Sequence, residues 1–512
     1  MEKAMDNAME YAELELADDV DDEAVHGVPP AFTGAVRRRS PVLRRALLAF
    51  AAGCVLLGGV LVARPDGQAR APVPASPGPA GRAVIAQAAG APASLPDLTA
   101  LIAEREAGLR AHPRSAGAWA ALGAAYAERG ARTADPAYYP RAESALRRSL
   151  ALRPRRNAAA LDGLASLAAA RGDWRGARGF GEAAVAPAPR RWTAYAALVD
   201  ADLGLGDHAA AARHLAKLSS LAGGTAVVLR TAAVYRDQGR REDAAALLSD
   251  GAARAGTPTE RAALLHLGGE LAWERGDAGD ALRYCDAALA ADPRFFAAYA
   301  GQGRALASLG RTREAVRAYQ RALAGRPEPQ YALELGELYE SLHEDRAARG
   351  QYDALRARAA ARGARGVDDT LVLGRYEADH GEPAAAVARL RGAWARSHGA
   401  PVADALGWAL HRAGRDGEAI ALLRAATDSS RGGGVRSGLL LYHRGVVERR
   451  LGLGGAARRH LREAVRIDPG FSPLFAPRVR RELLLLGEPV GGGPARVWGV
   501  PREAPGAPGG RG

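Results

Sequence analysis

From residue 97 onward, large apolar residues recur three, four and seven positions apart, with small residues set between them. The segment Phe296–Pro327, FAAYAGQGRALASLGRTREAVRAYQRALAGRP, shows the pattern most sharply. Tyr299, Gly303 and Leu306 fall on one stripe, and Ala315, Tyr319 and Ala322 fall on a second. This spacing predicts one helix, a turn at Gly310, a second helix and a stop at Pro327. Gly303 and Ala315, on opposite sides of the turn, let two backbones approach closely. Neither helix can bury its apolar stripe alone, so successive pairs must stack.

The unit repeats with a period near 34, since Pro293 and Pro327 are 34 apart and Pro154 and Pro189 are 35 apart. A second clear copy reads Trp119-x2-Leu122-Gly123-x2-Tyr126 and closes on Ala142, Leu146 and Pro154, after an excess of seven residues between its helices. About ten such units follow from the period. Their first-helix small positions lie near Gly123, Ala165, Val199, Ala232, Gly268, Gly303, Gly336, Gly374, Gly407 and Gly445. Residues 360–366 and 430–437 read as insertions between units. Leu98–Leu109 reads as an N-terminal cap and Ser472–Leu486 as a closing helix.

These motifs resemble the tetratricopeptide repeat over residues 97–486. The resemblance implies an all-α fold: a right-handed α-α superhelix, a solenoid of about ten helix pairs. It also implies a protein or peptide partner held in the superhelical groove. In the family geometry the residue after each first-helix small position points into that groove, giving Asp200, Arg304, Glu337, Arg375, Trp408 and Val446. One turn further come Arg236, Glu340, His411 and Arg449. The partner groove is therefore expected at Asp200, Arg236, Arg304, Glu337, Arg375, Trp408 and Arg449. Both charge signs occur in it, and a solvated mixed-charge face is the competing reading for any one of these residues. The Lys/Asn clamp that some members use for a peptide carboxylate is missing here.

The chain before the repeats changes character three times. Residues 1–41 form an acidic and then basic tail, with ten acids against Lys3 in the first 36 residues and Arg37, Arg38 and Arg39 after them; such a tail is expected to be disordered. Ala46–Ala63 is an uncharged run of 18 residues inside a predicted transmembrane signal-anchor helix at 42–63. At about 27 Å it nearly matches a hydrocarbon core. Five arginines precede it, so the expectation is a single-pass protein of a bacterial cell membrane, N-terminus cytoplasmic and repeats extracytoplasmic. Two alternatives stay open: cleavage near Ala69-Arg70-Ala71 to release a secreted binding protein, and a cytoplasmic regulator that buries the run against its own repeats. Residues 64–96 read as a Pro/Ala/Gly linker, and 487–512 as a disordered Gly/Pro tail.

Composition narrows the chemistry. The net charge of +13 in 512 residues comes almost wholly from arginine, since Lys3 and Lys217 are the only lysines, and no basic stripe with aromatic platforms appears. A nucleic-acid partner is therefore not expected. Two cysteines exclude a disulfide framework and any cysteine zinc cluster. No Lys follows a Gly-rich loop, and the His-Glu-x-x-His, Gly-x-Ser-x-Gly and Cys-x-x-Cys motifs are missing. Cys285, four residues after Ala281, reads as core. No catalytic residue, cofactor, metal site or small-molecule substrate is expected. The sequence as a whole reads as a membrane-anchored scaffold that is not an enzyme.

Overall fold

A computed structural model describes residues 77–428 and 436–487. Among them are 23 helices and no strand. α1 (Pro79–Ala88) and α2 (Leu95–Ala111) precede a run of helix hairpins. These are α3 (Ala116–Thr133) with α4 (Tyr138–Leu152), α5 (Ala158–Ala170) with α6 (Trp174–Val185), and α7 (Trp192–Leu205) with α8 (His208–Leu221). α9 (Thr225–Asp237) pairs with α10 (Arg241–Arg254), α11 (Pro258–Glu274) with α12 (Ala278–Ala291), and α13 (Phe296–Ser308) with α14 (Thr312–Gly325). α15 (Pro329–Ser341) pairs with α16 (Asp345–Gly363), α17 (Thr370–His380) with α18 (Pro383–Trp394), and α19 (Ala400–Arg412) with α20 (Asp416–Ala426). α21 (Gly438–Arg450) pairs with α22 (Gly454–Ile467), and α23 (Arg478–Leu485) follows. The first helix of one hairpin also packs on the first helix of the next, as α3 does on α5 and α17 on α19.

The hairpins form because small residues sit where two helices cross. A Cβ on Gly303 of α13 would lie 2.8 Å from the Tyr319 ring of α14, so only glycine admits that ring. Ala315 and Ala322 of α14 are fully buried beside it. Gly310 makes the turn with φ of +73°, a conformation glycine adopts without steric cost. With aromatics scarce, the interior is alanine and leucine, and each fully buried leucine contributes roughly 1.5–3 kcal/mol. Leu335, Leu338, Leu355 and Leu390 are examples.

Hairpins far apart in sequence also touch. The Arg326 guanidinium donates to the Ala131 carbonyl at 2.6 Å across 195 residues. Ser397 Oγ donates to the Gly204 carbonyl at 2.7 Å across 193 residues. Arg241 donates to the Arg436 carbonyl at 3.1 Å, again across 195. Backbone groups join in, with the Asp368 N–H on the Arg171 carbonyl at 2.7 Å and the His398 N–H on the Leu205 carbonyl at 3.0 Å.

Several expectations change. Residues 79–88, assigned to the linker 64–96, form α1: Pro79 is tolerated in the first turn, and Ala80, Ala83 and Ala86 are buried at a three-residue spacing. The closing helix is shorter than Ser472–Leu486, because Pro473 and Pro477 cannot donate in a helix interior and α23 starts only at Arg478. Much of the insertion 360–366 extends α16, which runs to Gly363. The membrane location is corrected: among the described residues no helix is long and apolar enough to cross a membrane. The anchor assigned to 42–63, the tails 1–41 and 487–512 except Gly487, and the start of the linker lie outside the described residues, as does most of the insertion 430–437.

Candidate functional site

A cavity of about 1150 Å³ opens along the first helices from α9 to α21. Arg236, Arg304, Glu337, Arg375 and Trp408 line it, contributed by α9, α13, α15, α17 and α19. The repeat period delivers them, since each lies on the corresponding face of its own first helix. Asp200 and Arg449 do not line it. Asp200 accepts from Arg230 at 2.7 Å, and Arg449 pairs with Glu482. Glu340, His411 and Val446 are also outside its lining. Glu340 accepts from the Tyr352 hydroxyl at 2.8 Å, His411 pairs with Asp416, and Val446 is core.

Ion pairs that step from one first helix to the next fix the wall. Arg304 of α13 reaches back to Glu270 of α11 and forward to Glu334 of α15, the latter at 3.0 Å. Burial alone would lower the Arg304 pKa, but the two carboxylates outweigh it and hold the guanidinium charged. Burial likewise pushes Glu270 up, and the Arg304 charge overrides it, leaving Glu270 below its ordinary value. Arg236 pairs with Glu274. Glu337 lies 3.5 Å from His380, and burial raises its pKa against the opposing pull of that imidazole. Arg375 is half-buried and makes no hydrogen bond or ion pair among the described residues.

Trp408 lines the cavity yet is only 5% exposed. Its Nε1–H donates to both Asp379 oxygens at 3.0 Å, and its ring stacks on His443 with centroids 4.1 Å apart. His443 Nδ1 contacts Asp404 at 3.0 Å. With a carboxylate as its partner, Nδ1 is the donor of that hydrogen bond. The buried Nε2 of the same ring has no hydrogen-bond partner.

Among the described lining residues, carboxylates outnumber guanidiniums. Asp237, Glu270, Glu274, Glu334, Glu337, Asp379, Asp404 and Asp468 stand against Arg236, Arg304, Arg375 and Arg480. One end of the cavity is instead apolar, walled by α19, α21 and the chain's own residues after Asp468.

Residues 272–335, which span α12, α13, α14 and the first half of the cavity-lining α15, match the family model described as tetratricopeptide repeat. Residues 272–335 carry tetratricopeptide repeats. Solved structures similar to this repeat protein include the human IFIT1 dimer with PPP-AAAA, at 17% identity over 61% of this chain and 72% of that one, with a TM-score of 0.42. A tetratricopeptide repeat protein from Parabacteroides merdae ATCC 43184 is 16% identical over 51% of this chain and 97% of its own, with a TM-score of 0.30. The APC/C hetero-tetramer Cut9-Hcn1 is 16% identical over 80% and 92%, with a TM-score of 0.30. No curated protein matches the sequence significantly. None of these likenesses bears on what this repeat protein binds.

Glu270, Glu334, Asp379, Asp404 and His443 escaped the repeat pattern because they are not the residue after a small position. A signal for them existed. Arg304 lies 34 residues after Glu270 and 30 before Glu334, and Trp408 lies 29 after Asp379. Opposite-charge or donor–acceptor partners about one period apart mark pairs that bridge neighbouring first helices.

Proposed function

We propose that this chain is a non-catalytic tetratricopeptide scaffold that holds a peptide segment of a protein partner in the cavity along its first helices. The hairpins α3/α4 to α21/α22 are read as ten repeat units wound into a right-handed superhelix, with the cavity as its groove. The observation that carries the reading is the convergence of Arg236, Arg304, Glu337, Arg375 and Trp408, from five first helices, on one cavity of about 1150 Å³. That volume exceeds the roughly 300–1,000 Å³ of ordinary ligand pockets. The lining carboxylates, in excess over the guanidiniums, favour a segment carrying Arg or Lys. They disfavour a phosphate backbone, which needs guanidinium and ammonium partners.

A photo-crosslinking amino acid at position 375 tests this against the same residue at Arg317, exposed on α14. Protein adducts that form at 375 and not at 317 are the expected result. Equal labelling at both positions, or nucleic acid as the sole adduct at 375, would overturn it.

A further inference from the structure

The apolar end of the cavity is already occupied, and the occupant belongs to the chain. After α22 the backbone leaves the helical array at Asp468-Pro469-Gly470 and runs without regular structure to Pro477. Phe475 of this stretch sits among three rings: Tyr442 at 5.6 Å, Trp408 edge-on at 5.9 Å and His443 edge-on at 6.0 Å. Phe471 packs on Tyr442 at 5.7 Å. Both phenylalanines are 5% exposed. Basic residues follow at once, Arg478 over the Phe475 ring at 5.1 Å and Arg480 on the cavity lining.

What holds this stretch is side chains more than backbone. The backbone hydrogen bonds of residues 470–477 close on the stretch itself. Its hydrogen bond to a distant first helix is Ser308 Oγ on the Gly470 carbonyl, at 3.1 Å. At its root the Asp468 carboxylate is 4% exposed and accepts from the Gly470 N–H at 2.8 Å. Burial raises its pKa to about 6, so at neutral pH the root carries a poorly solvated charge. Phe471, Leu474, Phe475 and Val479 pack in the core that contains Trp408 and Tyr442, and Glu482 pairs with Arg449 of α21, so the stretch is held by side chains and can leave only as a unit.

We propose that residues 468–483 are a built-in, displaceable ligand of the groove, and that the partner presents the same chemistry: a proline-flanked aromatic followed by arginine. This deepens the groove reading above and rests on it. The Trp408–Tyr442–His443 cage takes the ring, and an arginine beyond it reaches the cavity wall as Arg480 does. While the chain's own segment is seated, the apparent affinity for the partner falls by the fraction of molecules in which the cage is free.

The geometry supplies a lock. A Cβ on Gly470 would lie 2.8 Å from Ser308 Cβ, so the pair needs to open by only about 1 Å to reach the ~3.8 Å of a disulfide. The test uses the full chain with Ser308→Cys and Gly470→Cys in a Cys54→Ser background, Cys285 being fully buried. The probe is a fluorescent synthetic peptide of residues 466–483. The reduced protein should bind it, and oxidation should weaken binding at least about tenfold. Phe475→Leu in the reduced protein, which keeps an apolar contact and loses ring stacking, should tighten binding severalfold. Equal binding by both redox forms overturns the proposal. No binding by the reduced form and its Phe475→Leu variant also overturns it. The crosslinking comparison at 375 and 317 then decides separately whether the groove reading survives.

Discussion

Arg326 and Ala131, 195 residues apart, are joined by a guanidinium-to-carbonyl hydrogen bond of 2.6 Å. Arg326 also holds Glu328 at 2.9 Å, so one side chain ties the end of α14 to α3 and to the start of α15. An array held only by neighbour contacts would lack such a bond.

Arg326→Ala should therefore act at a distance. It removes the donor to Ala131 and leaves that carbonyl to water, at a cost of roughly 1–3 kcal/mol. Hydrogen exchange should rise around residues 130–134 as well as around 326–328. A rise confined to 326–328 would show that the long-range contact contributes nothing.

Packing inside a hairpin makes the opposite forecast. Gly303→Ala puts a Cβ 2.8 Å from the Tyr319 ring, and Ala315→Leu overfills a fully buried position. Each should destabilise by roughly 1–3 kcal/mol. Loss of exchange protection should be greatest in α13 and α14 and fade toward α3 and α21. Uniform loss over residues 97–486 would contradict local packing.

Trp408 is a stability determinant as well as a cavity wall. Trp408→Ala should cost roughly 3–5 kcal/mol by emptying the site between α17, α19 and α21. Trp408→Phe keeps most of the volume but withdraws the N–H from both Asp379 oxygens, leaving that carboxylate to Arg412 at 3.5 Å, and should cost about 1–3 kcal/mol. Urea denaturation of the two variants checks the order. A Trp408→Ala protein as stable as the parent would show that the indole is not packed between units.

Asp468 sets a pH dependence. Its carboxyl binds a proton more tightly folded, at about 6, than at its ordinary 3.8. Its contribution to stability is therefore complete below about pH 4 and is lost as pH rises to about 6. Asp468→Asn, which can still accept from the Gly470 N–H, should raise stability at pH 7 by at most about 3 kcal/mol. At pH 3.5 it should change little. Melting temperatures across pH 3.5–8 test this, and a constant difference between variant and parent would refute it.

The repeats were legible because their physics is local. Gly303, Gly310, Ala315 and Pro327 specify a hairpin within one stretch of chain, and the same grammar recurs each period. The first-helix wall was reached only through the resembled family's geometry, which supplied five of the residues that line the cavity. The other wall was not reached. Phe475 meets Trp408 from 67 residues away, and Ser308 meets Gly470 from 162. No periodic rule links those positions, because the segment after Ile467 leaves the repeat. α1 was missed for a related reason: its helix rests on alanines, which a proline-rich neighbourhood made to read as spacer.

The near-constant offset of 193–195 residues between Arg326 and Ala131, Ser397 and Gly204, and Arg241 and Arg436 constrains how such a chain can evolve. Duplication is the ordinary way a tandem gene lengthens. A copied unit of 34 residues placed between positions 205 and 241 would slide every partner beyond it by a whole unit. Carbonyls at 131, 171, 204 and 205 would lose their donors together. Tolerated gains and losses of units are thus confined to the margins of the array, while its interior behaves as a stretch of fixed length, much as a screw thread admits no extra half-turn between nut and head.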